Sequence, residues 1–218
     1  MKTHSEYRAQ ARETLQNRWG EAAITTAIIV SVTLVIMFPT LKESVNIMNG
    51  ATSTSWLSNL TSFATILLIP IQYAFYIALL NATRKKEIGI LQDTVQSTIH
   101  QYGKLFITGI LYTLIISIIS LFTLGIGGII FAYAYRMVPY LLNDYPELTP
   151  REALKISRQM MQGRKGQLFV LDLTFIGWYI LAFITCGIGY LFLTPYMQTA
   201  TAHFYEDLKA ETIVEEED

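Results

Sequence analysis

Two long apolar blocks, residues 105–142 and 168–205, constrain this chain more than any other feature, and a basic, helix-forming segment separates them. Each is far longer than the roughly 20 apolar residues that cross a hydrocarbon core. Each also carries Gly-Ile-Gly near its middle, at Gly125-Ile126-Gly127 and Gly187-Ile188-Gly189. Each block therefore reads as two spans joined by a very tight turn. Composition agrees, because 52% hydrophobic residues against 15% charged ones suits a membrane class better than a soluble core. The net charge of −1 offers no general basic excess to nucleic acid. The single cysteine, Cys186, rules out an intrachain disulfide and any cysteine-based metal cluster.

In chain order, residues 3–19 are polar, but Tyr7, Ala11, Leu15 and Trp19 recur every four residues and line one side of a helix. Thr3 and Glu6 form a capping-box pattern at its start. Arg8, Arg12 and Arg18 lie opposite, which suits a helix on the lipid surface with Trp19 at headgroup depth; an ordinary solvated helix is the alternative. A first span follows at 22–39, without the small-residue cleavage site of a signal peptide, and then a polar loop over 40–56 with an Asn49-Gly50 turn signal. The second span, 57–80, contains Pro70 and should kink over 67–70. A second surface helix is expected over 91–102, then spans at 105–122 and 126–142. Thr149-Pro150-Arg151-Glu152 is a strong helix start and opens a third surface helix over 149–163, with Arg151, Lys155 and Arg158 on its basic side. Spans at 168–185 and 187–205 precede an acidic tail, 211–218, expected to be solvated.

The expected fold is thus an all-α membrane protein, residues 1–210 forming one polytopic domain of six transmembrane helices. They pair as three hairpins, each preceded by a cytoplasmic interfacial amphipathic helix. Fourteen of the sixteen lysines and arginines fall in the segments on one side of these spans, which places both termini in the cytoplasm. An internal repeat supports three units: a shift of 146 residues pairs Thr3 with Thr149, Glu6 with Glu152, Arg12 with Arg158, Arg18 with Arg164 and Gly20 with Gly166.

Few residues invite chemistry. Arg136 and Asp172 lie about 10 Å and 7 Å inside the inner ends of their spans at 1.5 Å per residue. A mutual ion pair is the economical arrangement for such charges, serving either as a structural pair or as a polar site for an anionic headgroup or a coupling proton. His4, His100 and His203 are scattered without metal-ligand spacing. Neither a catalytic constellation nor a cofactor motif stands out, and the reading is non-enzymatic. The basic residues Arg8, Arg12, Arg18, Arg151, Lys155, Arg158, Arg164 and Lys165 are candidate contacts for anionic lipid headgroups in the bilayer.

The run Tyr135-Arg136-Met137-Val138-Pro139-Tyr140 is followed by Asp144, Pro146, Glu152-Ala153-Leu154, Ser157-Arg158, Met160-Met161, Gly163, Leu168-Phe169, Leu173-Thr174-Phe175-Ile176-Gly177-Trp178, Gly187-Ile188-Gly189 and Pro195-Tyr196. With these residues the chain resembles the bacterial integral-membrane family catalogued as domain of unknown function 975. The resemblance implies a multi-span bacterial plasma-membrane protein and brings no established activity or catalytic residues with it. Two functions remain open from the sequence. One is a scaffold, accessory or lipid-interacting protein of the bacterial envelope. The other is a small transporter or lipid translocator using Arg136 and Asp172.

Overall fold

The computed structural model describes residues 2–49, 55–86 and 88–217, and among them only helices occur as regular elements. They are α1 (His4–Leu15), α2 (Trp19–Met48), α3 (Ser55–Ile66), α4 (Ile69–Thr83), α5 (Ile90–Phe122), α6 (Ile126–Ala134), α7 (Val138–Asp144), α8 (Pro150–Met160), α9 (Lys165–Leu173), α10 (Ile176–Ile184) and α11 (Tyr190–Glu217). Burial divides them into two populations. The packed core draws on α1, α4, α7, α8 and α11, with Leu15, Ile77, Leu80, Leu142, Ala153 and Ala200 fully enclosed. By contrast α2, α3, the second half of α5, α6 and α10 turn large apolar side chains outward, among them Val35, Phe63, Leu121, Ile129 and Phe183. So much contiguous exposed apolar surface is stable only against lipid or another protein. Among the described residues, four stretches are long and apolar enough to cross a membrane: Trp19–Met48, Phe63–Thr83, Ile90–Phe122 and Lys165–Ile184.

Several sequence expectations need correction. The expected span 126–142 is divided by the non-helical Tyr135–Met137 step into α6 and α7, because Pro139 has no N–H to continue the ladder. Residues 187–205 join a helix that continues to Glu217, where a solvated tail is expected. The expected division between a helix over 91–102 and a span over 105–122 is present within α5 as a kink at Gln101, which leaves helical geometry (φ −120°, ψ 15°) and separates two helices. The first span does not stop at Pro39: α2 runs on to Met48 because Leu41, Val45 and Met48 keep an apolar stripe at helical spacing beyond the proline. The Asn49-Gly50 turn signal and the Ser/Thr cluster after it extend over residues 50–54, outside the described residues. The kink expected at 67–70 is present, since α3 ends at Ile66 and α4 restarts with Pro70 in its first turn.

The surface-helix reading changes most at α1. Tyr7, Ala11 and Leu15 do form one stripe, but they are 1%, 0% and 0% exposed and face protein, not lipid. Tyr7 packs on Phe204 with ring centroids 5.5 Å apart, Thr14 Oγ1 lies 2.9 Å from His203 Nε2, and Trp19 packs on Tyr196 at 5.9 Å. The descending order of these partners makes α1 antiparallel to α11. A stripe one residue wide cannot distinguish a lipid surface from a neighbouring helix, and here the neighbour occupies it.

The turns after α5 and α10 share one construction. Leu124 and Cys186 both have φ 51°, and Gly125 and Gly187 follow at 90° and 91°. Two successive left-handed residues reverse the chain, and glycine at the second avoids the steric cost of a Cβ. Gly125 N–H donates to Ser120 C=O at 2.8 Å, and Gly187 N–H to Ala182 C=O at 2.9 Å, closing each helix end. A threonine completes each turn: Thr123 Oγ1 accepts from Gly127 N–H at 2.9 Å, and Thr185 Oγ1 accepts from Gly189 N–H at 3.0 Å. The hydroxyl protons go back to Ile119 C=O at 2.7 Å and to Ala182 C=O at 3.0 Å. Thr123→Val or Thr185→Val should therefore each lower stability by about 1–2 kcal/mol, the cost of a stranded N–H. Unfolding in mixed micelles checks this, with serine at either position expected to retain the stability.

Candidate functional site

The ends of α4 and α7 meet the middle of α11, and their polar residues build a charge cluster there. Asp144, the last residue of α7, has a side chain only 3% exposed. Arg84, just after α4, grips it with both guanidinium nitrogens, Nη1 to Oδ1 at 2.6 Å and Nη2 to Oδ2 at 2.8 Å. From α11, Lys209 Nζ donates to Oδ2 at 2.6 Å and Tyr205 Oη donates to the same oxygen at 2.9 Å. Arg84 also reaches Glu206 on α11, Nε to Oε1 at 2.7 Å. Burial alone would raise the Asp144 pKa, but the hydrogen bonds from Arg84, Lys209 and Tyr205 and the arginine charge outweigh it and hold the carboxyl well below the usual range. One carboxylate thus ties the ends of α4 and α7 to the middle of α11.

Sequence reasoning missed this cluster. Asn143-Asp144 and Glu206 mark polar span ends, and Arg84 enters only the charge count for orientation. The available signal was that these ends carry complementary charges, although nothing local shows that they meet.

Arg136 and Asp172 take a different arrangement from the expected ion pair. Asp172 on α9 accepts a hydrogen bond from Tyr133 Oη on α6 at 2.9 Å, and Arg136 forms no ion pair with it. Arg136 lies in the step between α6 and α7, and its Nε is buried without a partner. The same step turns Val138 N–H to Tyr135 C=O at 3.2 Å, which frees Ala134 C=O. Ser157, buried on α8, fills that gap by donating Oγ–H to Ala134 C=O at 2.9 Å. Helix α8 is therefore seated in the broken span, and the arginine beside the break feels the charge of Asp172 without forming a salt bridge to it.

The eight candidate headgroup contacts separate into two groups. Arg8 donates Nη1 to Thr174 C=O at 3.2 Å, at the step between α9 and α10. Arg18 donates Nη2 to Lys86 C=O at 2.8 Å, and Arg164 pairs with Glu211 at 2.8 Å. These three are engaged within the protein. Arg12, Arg151, Lys155 and Arg158 are exposed, and none forms an ion pair among the described residues; Arg158 lies over the Phe131 ring at 5.5 Å. Lys165 is half-buried at the start of α9. Helix α8 begins with a capping box, in which Thr149 N–H donates to Glu152 Oε2 at 2.8 Å and Glu152 N–H to Thr149 Oγ1 at 3.4 Å. Its Ala153, Leu154 and Ser157 face the bundle, which leaves the basic side outward.

Removing the shared acceptor with Asp144→Asn should cost about 2–3 kcal/mol, less than a fully enclosed pair because both cations are about a quarter exposed. The pH dependence has a definite sign. Folded Asp144 resists protonation while the unfolded chain takes up its proton near pH 4, so this stabilisation is complete above about pH 5 and declines on further acidification. Thermal unfolding between neutral and acidic pH should show that decline, and Asp144→Asn should flatten it.

Comparison with known proteins adds one finding. Residues 113–212 match the family model described as "Protein of unknown function (DUF975)", and the stretch holds the densest part of the family resemblance in the sequence. No curated protein and no solved structure matches the chain.

Proposed function

We propose that this chain, matched over residues 113–212 by the DUF975 family, is a non-enzymatic, lipid-interacting protein of the bacterial plasma membrane. In this reading the outward apolar faces of α2, α3, α5, α6 and α10 meet lipid, and both termini are cytoplasmic. The basic side of α8 meets anionic headgroups. The observation that carries the reading is the division of cations on the inner layer. Arg84, Arg164 and Lys209 are satisfied by carboxylates, whereas Arg151 and Lys155 stand exposed on a helix anchored by its opposite side. Each such cation near an anionic leaflet contributes about 1 kcal/mol. The translocator reading would rest on Arg136, whose buried Nε lacks a partner. Its other requirement is a continuous polar path, which the Tyr133–Asp172 contact alone does not supply.

Two measurements test the proposal. Arg151→Gln, Lys155→Gln and Arg158→Gln together should lower the anionic phospholipid that co-purifies with the protein, read by native mass spectrometry, without lowering the melting temperature. Unchanged lipid content would end the headgroup assignment for α8. For orientation, Cys186 is exposed and is the only cysteine, so it reports the α10–α11 turn in the natural sequence. A membrane-impermeant maleimide should label it from outside intact cells; labelling only after permeabilisation would reverse the topology.

A further inference from the structure

Between α1, the end of α4 and α11 lies a polar cavity of about 440 Å³, walled by Gln10, Glu13, Thr14, Arg18, Lys85 and His203 together with Ala82 and Thr83. Three observations distinguish it from a packing defect. First, two of its residues bury a polar atom without a partner, Arg18 Nη1 and Gln10 Oε1. Stranded groups of this kind each cost about 1–3 kcal/mol, a cost that a ligand supplying an acceptor and a donor would remove. Second, Glu13, Arg18 and Lys85 share the wall without forming an ion pair among the described residues, so both signs of charge remain available. Third, Lys85 has φ 56° in the left-handed cap that ends α4, where Lys86 N–H returns to Asn81 C=O at 3.2 Å, and this cap fixes the cation's backbone on the cavity wall.

Arg18 Nη2 is already held by Lys86 C=O, and Thr14 Oγ1 by His203 Nε2, so the wall is fixed from three elements. We infer that this cavity binds a small zwitterion, its phosphate or carboxylate group on Arg18 and Lys85 and its ammonium group on Glu13 and Gln10 Oε1. A free metabolite and the headgroup of a zwitterionic phospholipid share that chemistry. The site is separate from the basic side of α8, so it stands or falls independently of the headgroup assignment there.

The test titrates the full chain, in nanodiscs of phosphatidylglycerol, which has no ammonium group, with phosphoethanolamine and separately with inorganic phosphate and ethanolamine as its two halves. Phosphoethanolamine should bind saturably, and each half at least about tenfold more weakly, the loss of one charged hydrogen bond. Arg18→Gln should weaken phosphoethanolamine by about tenfold or more, and Glu13→Gln should bring its affinity towards that of phosphate alone. Arg151→Gln should leave it unchanged. Melting temperatures of the unliganded variants separate lost binding from lost folding, and Glu13→Gln, at an exposed residue, supplies the reading if Arg18→Gln fails to fold. Adding phosphatidylethanolamine to the nanodiscs should raise the apparent Kd if a lipid headgroup occupies the cavity and leave it unaltered if the ligand is soluble. Absence of saturable binding, or equal affinity in the natural chain, Arg18→Gln and Glu13→Gln, overturns the inference.

Discussion

The Asp144 carboxylate ties α4, α7 and α11 together. Arg84 reaches it from the end of α4, and Tyr205 and Lys209 reach it from α11, so segments more than a hundred residues apart are fixed to two oxygen atoms. Apolar contacts alone would not determine where these ends stop. A helix bearing leucine and alanine on several faces can slide against its neighbours at little cost, whereas a bidentate guanidinium–carboxylate pair permits one register. The apolar packing of Tyr140 against Tyr205, with centroids 5.2 Å apart, follows from that register.

Helix breaks are the second organising feature, and each leaves polar backbone that must be satisfied. At the step between α6 and α7, Ser157 supplies the donor for Ala134 C=O; at the step between α9 and α10, Arg8 supplies one for Thr174 C=O. Helices α8 and α1 therefore do more than cover the bundle. They complete the hydrogen bonding of the spans they touch, which explains why residues with the pattern of surface helices are so well buried on one side.

Much of this was readable in the residues. Thr149 and Glu152 announced the start of α8 because a capping box is local, and the paired Gly-Ile-Gly motifs located both turns because left-handed backbone is local too. Pro70 announced its break for the same reason. The errors occurred where local signals were ambiguous. The Asn49-Gly50 signal suggested a loop over 40–56 although the apolar spacing continued to Met48, and the narrow stripe of α1 suited lipid and α11 equally. For the candidate sites, the sequence singled out Arg136 and Asp172 because charge inside an apolar run is conspicuous. It could not show that Tyr133 would take the aspartate, nor that Arg84, Asp144 and Lys209 would converge, since partner choice depends on how whole helices pack.

The two threonine-closed turns also bear on how such a protein enters a membrane. Between Lys104 and Arg136 there is no acidic or basic residue, and between Asp172 and Glu206 only His203 can acquire a positive charge. Within each turn the glycine N–H groups at 125 and 127, and at 187 and 189, already have acceptors in their own hairpin. A loop that needs neither water nor a partner chain at its tip lowers the barrier to passing through hydrocarbon as a preformed pair of helices. Neither turn therefore presents a charged side chain that hydrocarbon would oppose.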